Sequence, residues 1–397
     1  MPRRADIFVA DAISAHWNGA ATNYIVQTPT GVIYVVFIDS QSDVSFRKSS
    51  DYGLTWSETV VVHSGTTTNL AVWYDRWSGI SAGLIHCVMT DSGDDDTSYR
   101  TINTESSDAL STETDIFLGA STAAGGHLSV TRAVGGNVYC KTVIDAGAEG
   151  GFYRLPNANV PNGAWDAART VDEAIATLDQ MILVPDLTAA DTQDIMAIFW
   201  DASANEISRK LYDDSGNSWA ETSIAGSMTE LSTATAFANF DIAMDLTNSR
   251  VVLVAWSGTD VANSDLRCWV ITNSAITETT ANVVLNSTDD QGLCAITIDA
   301  NTGYWYVFYA GASGGGETWI TSLNIYYKMS TDAGATWSAE AKVNTGPAFT
   351  PRWLRTTNRW YAGPWVAAWH RDGAGSTDDL MMSVDHSLPR AVSMLGV

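Results

Sequence analysis

The octapeptide Ser49-Ser50-Asp51-Tyr52-Gly53-Leu54-Thr55-Trp56 returns near the far end of the chain as Ser330-Thr331-Asp332-Ala333-Gly334-Ala335-Thr336-Trp337, both spelling S-x-D-x-G-x-T-W. Each copy follows an alternating segment that reads as a strand, Val44 to Lys48 and Asn324 to Met329. The chemistry of the motif is local. An aspartate accepts from nearby backbone N–H groups, the glycine permits positive φ, and the tryptophan packs back between strands. This pattern staples a fold and carries no catalytic group. Asp214-Ser215-Gly216-Asn217-Ser218-Trp219 is a degenerate copy that keeps Asp, Gly and Trp, and Asn162-Gly163-Ala164-Trp165 keeps little beyond Gly and Trp.

Spacing turns the motif into an architecture. Trp56, Trp165, Trp219 and Trp337 are separated by 109, 54 and 118 residues, which are two, one and two periods of roughly 55 to 59 residues. Divided by such a period, 397 residues give seven repeats. A second register runs through Asp39, Asp91, Asp145 and Asp201 and continues less strictly through Ser257, Ala310 and His370; a third runs through Asp75, Asp186, Asp245 and Asp299. Within a repeat the pattern resolves into four strands. In the sixth these are Cys294 to Ile298, Tyr304 to Tyr309, Leu323 to Met329 and Ala339 to Val343. Helical periodicity is weak and confined to Thr170–Leu178 and Ser227–Phe237. The reading is an all-β, seven-bladed β-propeller forming one domain over residues 1–397. The last repeat has only three strands, and Asp6 to Ala12 is a spare one. That N-terminal strand is expected to complete the last blade and remove its open edge.

Composition narrows the roles. Lys+Arg 21 against Asp+Glu 45 leaves a net charge of −24, a sign that repels phosphate backbones and excludes nucleic acid as a partner. No apolar run is long enough for a transmembrane helix, so membrane insertion is not expected, and the N-terminus lacks the apolar stretch of a signal peptide. Cys87, Cys140, Cys268 and Cys294 lie far apart in apolar or alternating runs, the pattern of buried free thiols.

The two complete octapeptides resemble Asp-boxes, also called bacterial neuraminidase (BNR) repeats, and the chain resembles the sialidase-like β-propeller superfamily. The structural set is then Ser49, Asp51, Gly53, Trp56, Asp214, Gly216, Trp219, Ser330, Asp332, Gly334 and Trp337. Sialidases usually have six blades, which is the alternative to seven here. The resemblance implies three arginines near the axis, a Tyr-Glu nucleophile pair and an acid/base aspartate. The family's Arg-Ile-Pro signature is missing. Arg76, Arg132 and Arg352 fall on or near expected innermost strands and are the candidates for convergence on the axis, against pairing with the many aspartates. No Tyr and Glu pair by spacing, and His86, His127 and His370 show no triad spacing with Ser or Cys.

Other candidates follow from residue type. Asp39, Asp91, Asp145 and Asp201 occupy equivalent strand ends, where carboxylates around one rim would offer oxygen ligands to Ca²⁺; the competing reading is that each starts an Asx-turn. No other cofactor is implied. Tryptophan is abundant, 16 residues, and Trp77 and Trp319 sit at expected loop ends where exposed rings stack on sugars. Asp-box propellers usually lie outside cells, which a phage structural protein achieves without an export signal. The expectation is a non-catalytic module of a phage virion, head- or tail-associated. It would face other virion structural proteins or cell-surface glycans, with oligomerisation inside an assembly. A secreted extracellular setting is the alternative location, and an exo-acting glycoside hydrolase of sialidase-like type is the alternative function.

Overall fold

A computed structural model gives the structure of the protein. It describes residues 6–14, 24–75, 83–94, 96–118, 128–142, 151–171, 179–201, 204–226, 240–257, 265–284, 293–310, 324–344, 351–357, 359–361, 363, 365–372 and 377–384. The β-branched and aromatic segments form seven separate antiparallel sheets, which are the seven blades. The first blade comprises Ile25–Gln27, Ile33–Ile38, Val44–Ser49 and Val60–His63. The fourth and fifth repeat that order from Gln180–Pro185 to Ser218–Gly226 and from Phe240–Asp245 to Ile276–Glu278. In the sixth, Cys294–Ile298, Trp305–Ala310, Ile325–Ser330 and Ala341–Lys342 fall within two residues of the limits expected from sequence.

Two blades depart from four strands. The second adds a short strand, Ala109–Leu110, to its outer edge, and the third has three among the described residues, ending at Phe152–Leu155. A short 3₁₀ turn follows at Asn157–Asn159. Of the two weakly helical segments, residues 172–178 and 227–237 lie outside the described residues.

Closure follows the expected clasp. Ile7–Ser14 pairs antiparallel with Thr377–Val384 and becomes the outer strand of the seventh blade, whose inner strands are Val366–Asp372 and Pro351–Thr356. The apolar clusters lie mainly between blades, where facing sheets bury their side chains. One joins Val9, Met382 and Val384 of the seventh blade to Ile25 and Val35 of the first and Leu70 of the second. Trp200, Trp256, Trp269, Trp305, Trp365 and Trp369 are fully buried and supply much of the apolar area of the core. The four cysteines are buried free thiols, and burial pushes the Cys87 thiol up to about 12.

Candidate functional site

The two octapeptides fold identically. Ser49 Oγ donates to Asp51 Oδ1 at 2.7 Å and accepts from Gly53 N at 2.7 Å, while Asp51 accepts from Thr55 N at 2.9 Å and Thr55 Oγ1 at 2.7 Å. Ser330, Asp332, Gly334 and Thr336 repeat these four bonds at 2.8, 2.8, 2.9 and 2.6 Å. Gly53 and Gly334 take φ of 85° and 86°, which a side chain would strain. Bonds from Ser and Thr hold the Asp332 carboxyl below the usual range. Three tryptophans that follow such turns lean on the preceding blade. Trp337 Nε1 donates to Ala281 O at 3.1 Å, Trp219 Nε1 to Thr170 O at 2.9 Å, and Trp165 packs edge-on against Tyr99 at 5.2 Å. In the degenerate copy the turn aspartate is Asp213, not Asp214: Asp213 accepts from Gly216 N and Ser215 Oγ, both at 2.8 Å. Asp214 instead takes Arg154 at 2.8 Å.

The third register is a set of hairpin caps. Asp186 accepts from Thr188 N and Ala189 N, Asp245 from Asn248 N, and Asp299 from Asn301 N, each closing the turn between a blade's first and second strands. Asp75 takes a different partner, Arg132 of the next blade, in a buried ion pair. Arg132 also donates to Gly136 O at 2.8 Å and Asn157 Oδ1 at 2.7 Å, so its guanidinium is held between blades two and three. Arg76 and the side chain of Arg352 lie outside the described residues.

The strand-end acids act as turn formers. Asp39 accepts from Gln41 N at 2.9 Å and Asp43 N at 3.1 Å, Asp91 from Gly93 N at 2.7 Å, and Asp201 from Ala204 N at 2.9 Å. Among the described residues no three acids, histidines or cysteines group as metal ligands. Asp145, Trp77 and Trp319 lie outside the described residues.

Among the described residues, Arg355 on the innermost strand of the seventh blade is a buried arginine, 2% exposed, whose charge acts on Asp241 of the fifth blade and Tyr24 of the first. A bulge places it there: Arg352 faces His370, Arg355 faces Ala368, and the extra residue is absorbed near Trp353, whose φ is 46°. The side chain of Asp241, on the innermost strand of the fifth blade, accepts from Ile296 N of the sixth at 2.9 Å. Burial raises its carboxyl to about 6, a rise that Arg355 partly offsets. Such a value suits a general acid. Its role here is structural, since Asp241 is 7% exposed and satisfies an inner-edge N–H that no strand pairs. The signal was present in sequence as an aspartate inside the apolar run Phe240–Met244. A Tyr-Glu pair exists off the axis: Tyr309 donates to Glu340 Oε2 at 2.5 Å from the second strand of its blade. Burial and Glu340 both raise the Tyr309 hydroxyl, the reverse of an activated nucleophile.

An open cleft of about 240 Å³ lies in the fourth blade on the face carrying the octapeptide turns. Tyr212 and Trp219 line it with Asp186, Asp194, Asp213 and Asn273, the last from the fifth blade. The two rings lie 4.8 Å apart and pack on Phe152. Asn273 Nδ2 donates to Asp186 Oδ2 at 2.7 Å, fixing the rim across the blade boundary. Apolar rings beside a few oriented polar groups are the kind of lining that small-ligand sites have. Sequence reasoning assigned Trp219 to the turn alone, because only the fold brings Asp186 and Asn273 to it.

No family model matches the chain, and no curated protein matches it. Among solved structures, a polysaccharide lyase of a new family, the PL25 ulvan lyase, matches at a TM-score of 0.55 with 10% identity, over 97% of this chain and 96% of that one. The polysaccharide lyase Uly1 matches at 0.50 with 12% identity, over 97% and 99%. The NanB sialidase of Streptococcus pneumoniae, at 0.47 with 9% identity over 97% of this chain and 70% of that one, is too slight a likeness to carry an argument. At 10% and 12% identity the likeness to the two lyases is one of fold, and the chain is similar to them as a β-propeller.

Proposed function

We propose that the protein is a glycan-recognition propeller that binds without covalent chemistry, holding a saccharide unit in the cleft of the fourth blade. The cleft carries this reading: the half-buried Trp219, backed by the buried Tyr212, offers ring surface to C–H faces, and the more open Asp194 and Asp213 offer acceptors for hydroxyls. The commitments of Arg132 to Asp75 and of Asp241 to Ile296 N support recognition over hydrolysis. Polysaccharide lyases built on the same fold make a glycan partner the natural class to try first. A virion surface is the setting this proposal takes from the sequence.

Oligosaccharide binding followed by tryptophan fluorescence and calorimetry tests it. Trp219→Ala is expected to weaken binding at least about tenfold, as loss of an aromatic anchor does. Ala220→Trp, a substitution at an exposed cleft position, should block the cleft while leaving every fold contact of Trp219 in place. Unchanged affinity in the Ala220→Trp protein would overturn the cleft as the site. Turnover of a fluorogenic sialoside that disappears in Arg355→Ala would overturn the non-catalytic reading.

A further inference from the structure

The rim of the cleft has one sign of charge. Asp186, Asp194 and Asp213 line it, and among the described residues no lysine or arginine does. The cations nearby bond behind the lining, where Arg169 donates to the Tyr212 hydroxyl and Arg209 attracts Asp186. Arg154 binds Asp166 and Asp214, Arg169 binds Asp214, and Arg209 Nη1 donates to the carbonyls of Thr272 and Asn273 at 2.6 and 2.8 Å. Even inside the cleft the acids compete. Burial raises the Asp194 carboxyl, Asp191, Asp213 and Asp186 push it further, and the bond from Asp214 N at 2.9 Å only partly offsets them.

We infer that this cleft selects uncharged saccharides and turns away glycans bearing uronate or sulfate. The inference rests on the cleft being the saccharide site. A neutral sugar brings hydroxyl donors, which carboxylates accept in charge-assisted bonds stronger than neutral ones. A uronate or sulfate ester brings another anion to a cleft whose three carboxylates are offset only in part by the neighbouring Arg209 guanidinium, which attracts Asp186. Like charges brought within a few ångströms repel, so an anionic sugar group meets an opposing field where a hydroxyl meets an acceptor. The same field covers the molecule, whose net charge is −24, so long-range steering also disfavours polyanions.

The decisive experiment measures binding of matched trisaccharides, galactose against galacturonic acid, at low and moderate salt. The neutral trisaccharide is expected to bind at least about tenfold more tightly, with a gap that narrows as salt screens the rim. In an Asp194→Asn/Asp213→Asn protein, which keeps both hydrogen-bonding shapes, the gap should shrink to about threefold or less. Equal affinity for the two sugars in the wild-type protein, or a gap untouched by the double substitution, overturns the selectivity while leaving the cleft as a glycan site. Failure of both sugars, and of a broader neutral panel, to bind overturns the cleft reading itself. Binding that appears only with added Ca²⁺ and vanishes with a chelator would make the acids metal ligands and overturn the inference.

Discussion

Tyr24 donates its hydroxyl to the carbonyl of Trp353 across 2.7 Å, joining residues 329 positions apart in the chain. The bond spans the seam where the first blade meets the seventh, and the bulge around Trp353, with its φ of 46°, lies at the accepting residue. Both rings pack on His370, at 5.7 and 4.9 Å. Tyr24→Phe keeps the ring and leaves that buried carbonyl unpaired, which should cost about 1–3 kcal/mol. A denaturant midpoint equal to wild type would mean that the strand Ile7–Ser14 alone holds the seam.

Trp165, Trp219 and Trp337 each tie a blade to the one before it. Trp337 is half-buried, so Trp337→Ala should cost about 2–3 kcal/mol, less than the 3–5 typical of a core aromatic. Trp337→Phe keeps one ring but loses the N–H directed at Ala281 O and part of the indole's apolar area, and should cost about 1–2 kcal/mol. Chemical denaturation of the two variants tests the order; a phenylalanine variant as unstable as the alanine one would show that a single ring contributes nothing to the anchor.

Periodicity made the ring legible in sequence because every blade solves the same problem with the same parts. Ser49 and Ser330 make matching bonds 281 residues apart, and the spare N-terminal strand had nowhere else to pair. The sites were less legible because they belong to gaps between repeats. Arg132 lies on an innermost strand, yet its partner Asp75 is a neighbouring blade's turn residue, and no spacing rule distinguishes that pair from an axial cluster. The register that contains Asp39 could be seen, but whether a strand-end carboxylate faces a cation or its own loop is decided by the turn backbone. Asp214 shows the same limit: one position decides which acid closes the turn, and Asp213 does.

Two buried groups set opposite ends of the pH profile. His63 is held between Asp91 at 3.1 Å and Glu113 at 2.8 Å, with Arg100 also facing Glu113, and the bond to Glu113 leads in raising its pKa above 6.5. Its stabilisation is fully present below 6.5 and is lost as pH rises through the folded value. Asp241 is raised from 3.8 to about 6, so the fold prefers its protonated form and stability falls as pH climbs through that window. His63→Gln should flatten the alkaline limb of a melting-temperature profile, and Asp241→Asn the segment between the two Asp241 values. A profile unchanged above 6.5 in His63→Gln would remove His63 as the cause.

The Asp75–Arg132 pair is almost wholly buried, at 3% and 2% exposure, so breaking it is expected to cost more than its attraction alone. Asp75→Asn or Arg132→Met each leaves one charge without its partner, at about 3–5 kcal/mol. The double variant strands neither charge and should cost less than the sum of the singles, a coupling that a double-mutant cycle reads directly. His86 supplies a second readout from the same place. Its imidazole, bonded to Tyr99 at 2.7 Å, is pushed down to about 4 by burial, while Asp75 pulls it up and Arg132 pushes it down. Arg132→Met removes the opposing cation and keeps the acid, so the His86 titration followed by NMR should move upward; Asp75→Asn should move it downward. Additive singles, or an His86 titration that ignores both substitutions, would show that the two blades are held by packing and that the ion pair merely occupies the gap.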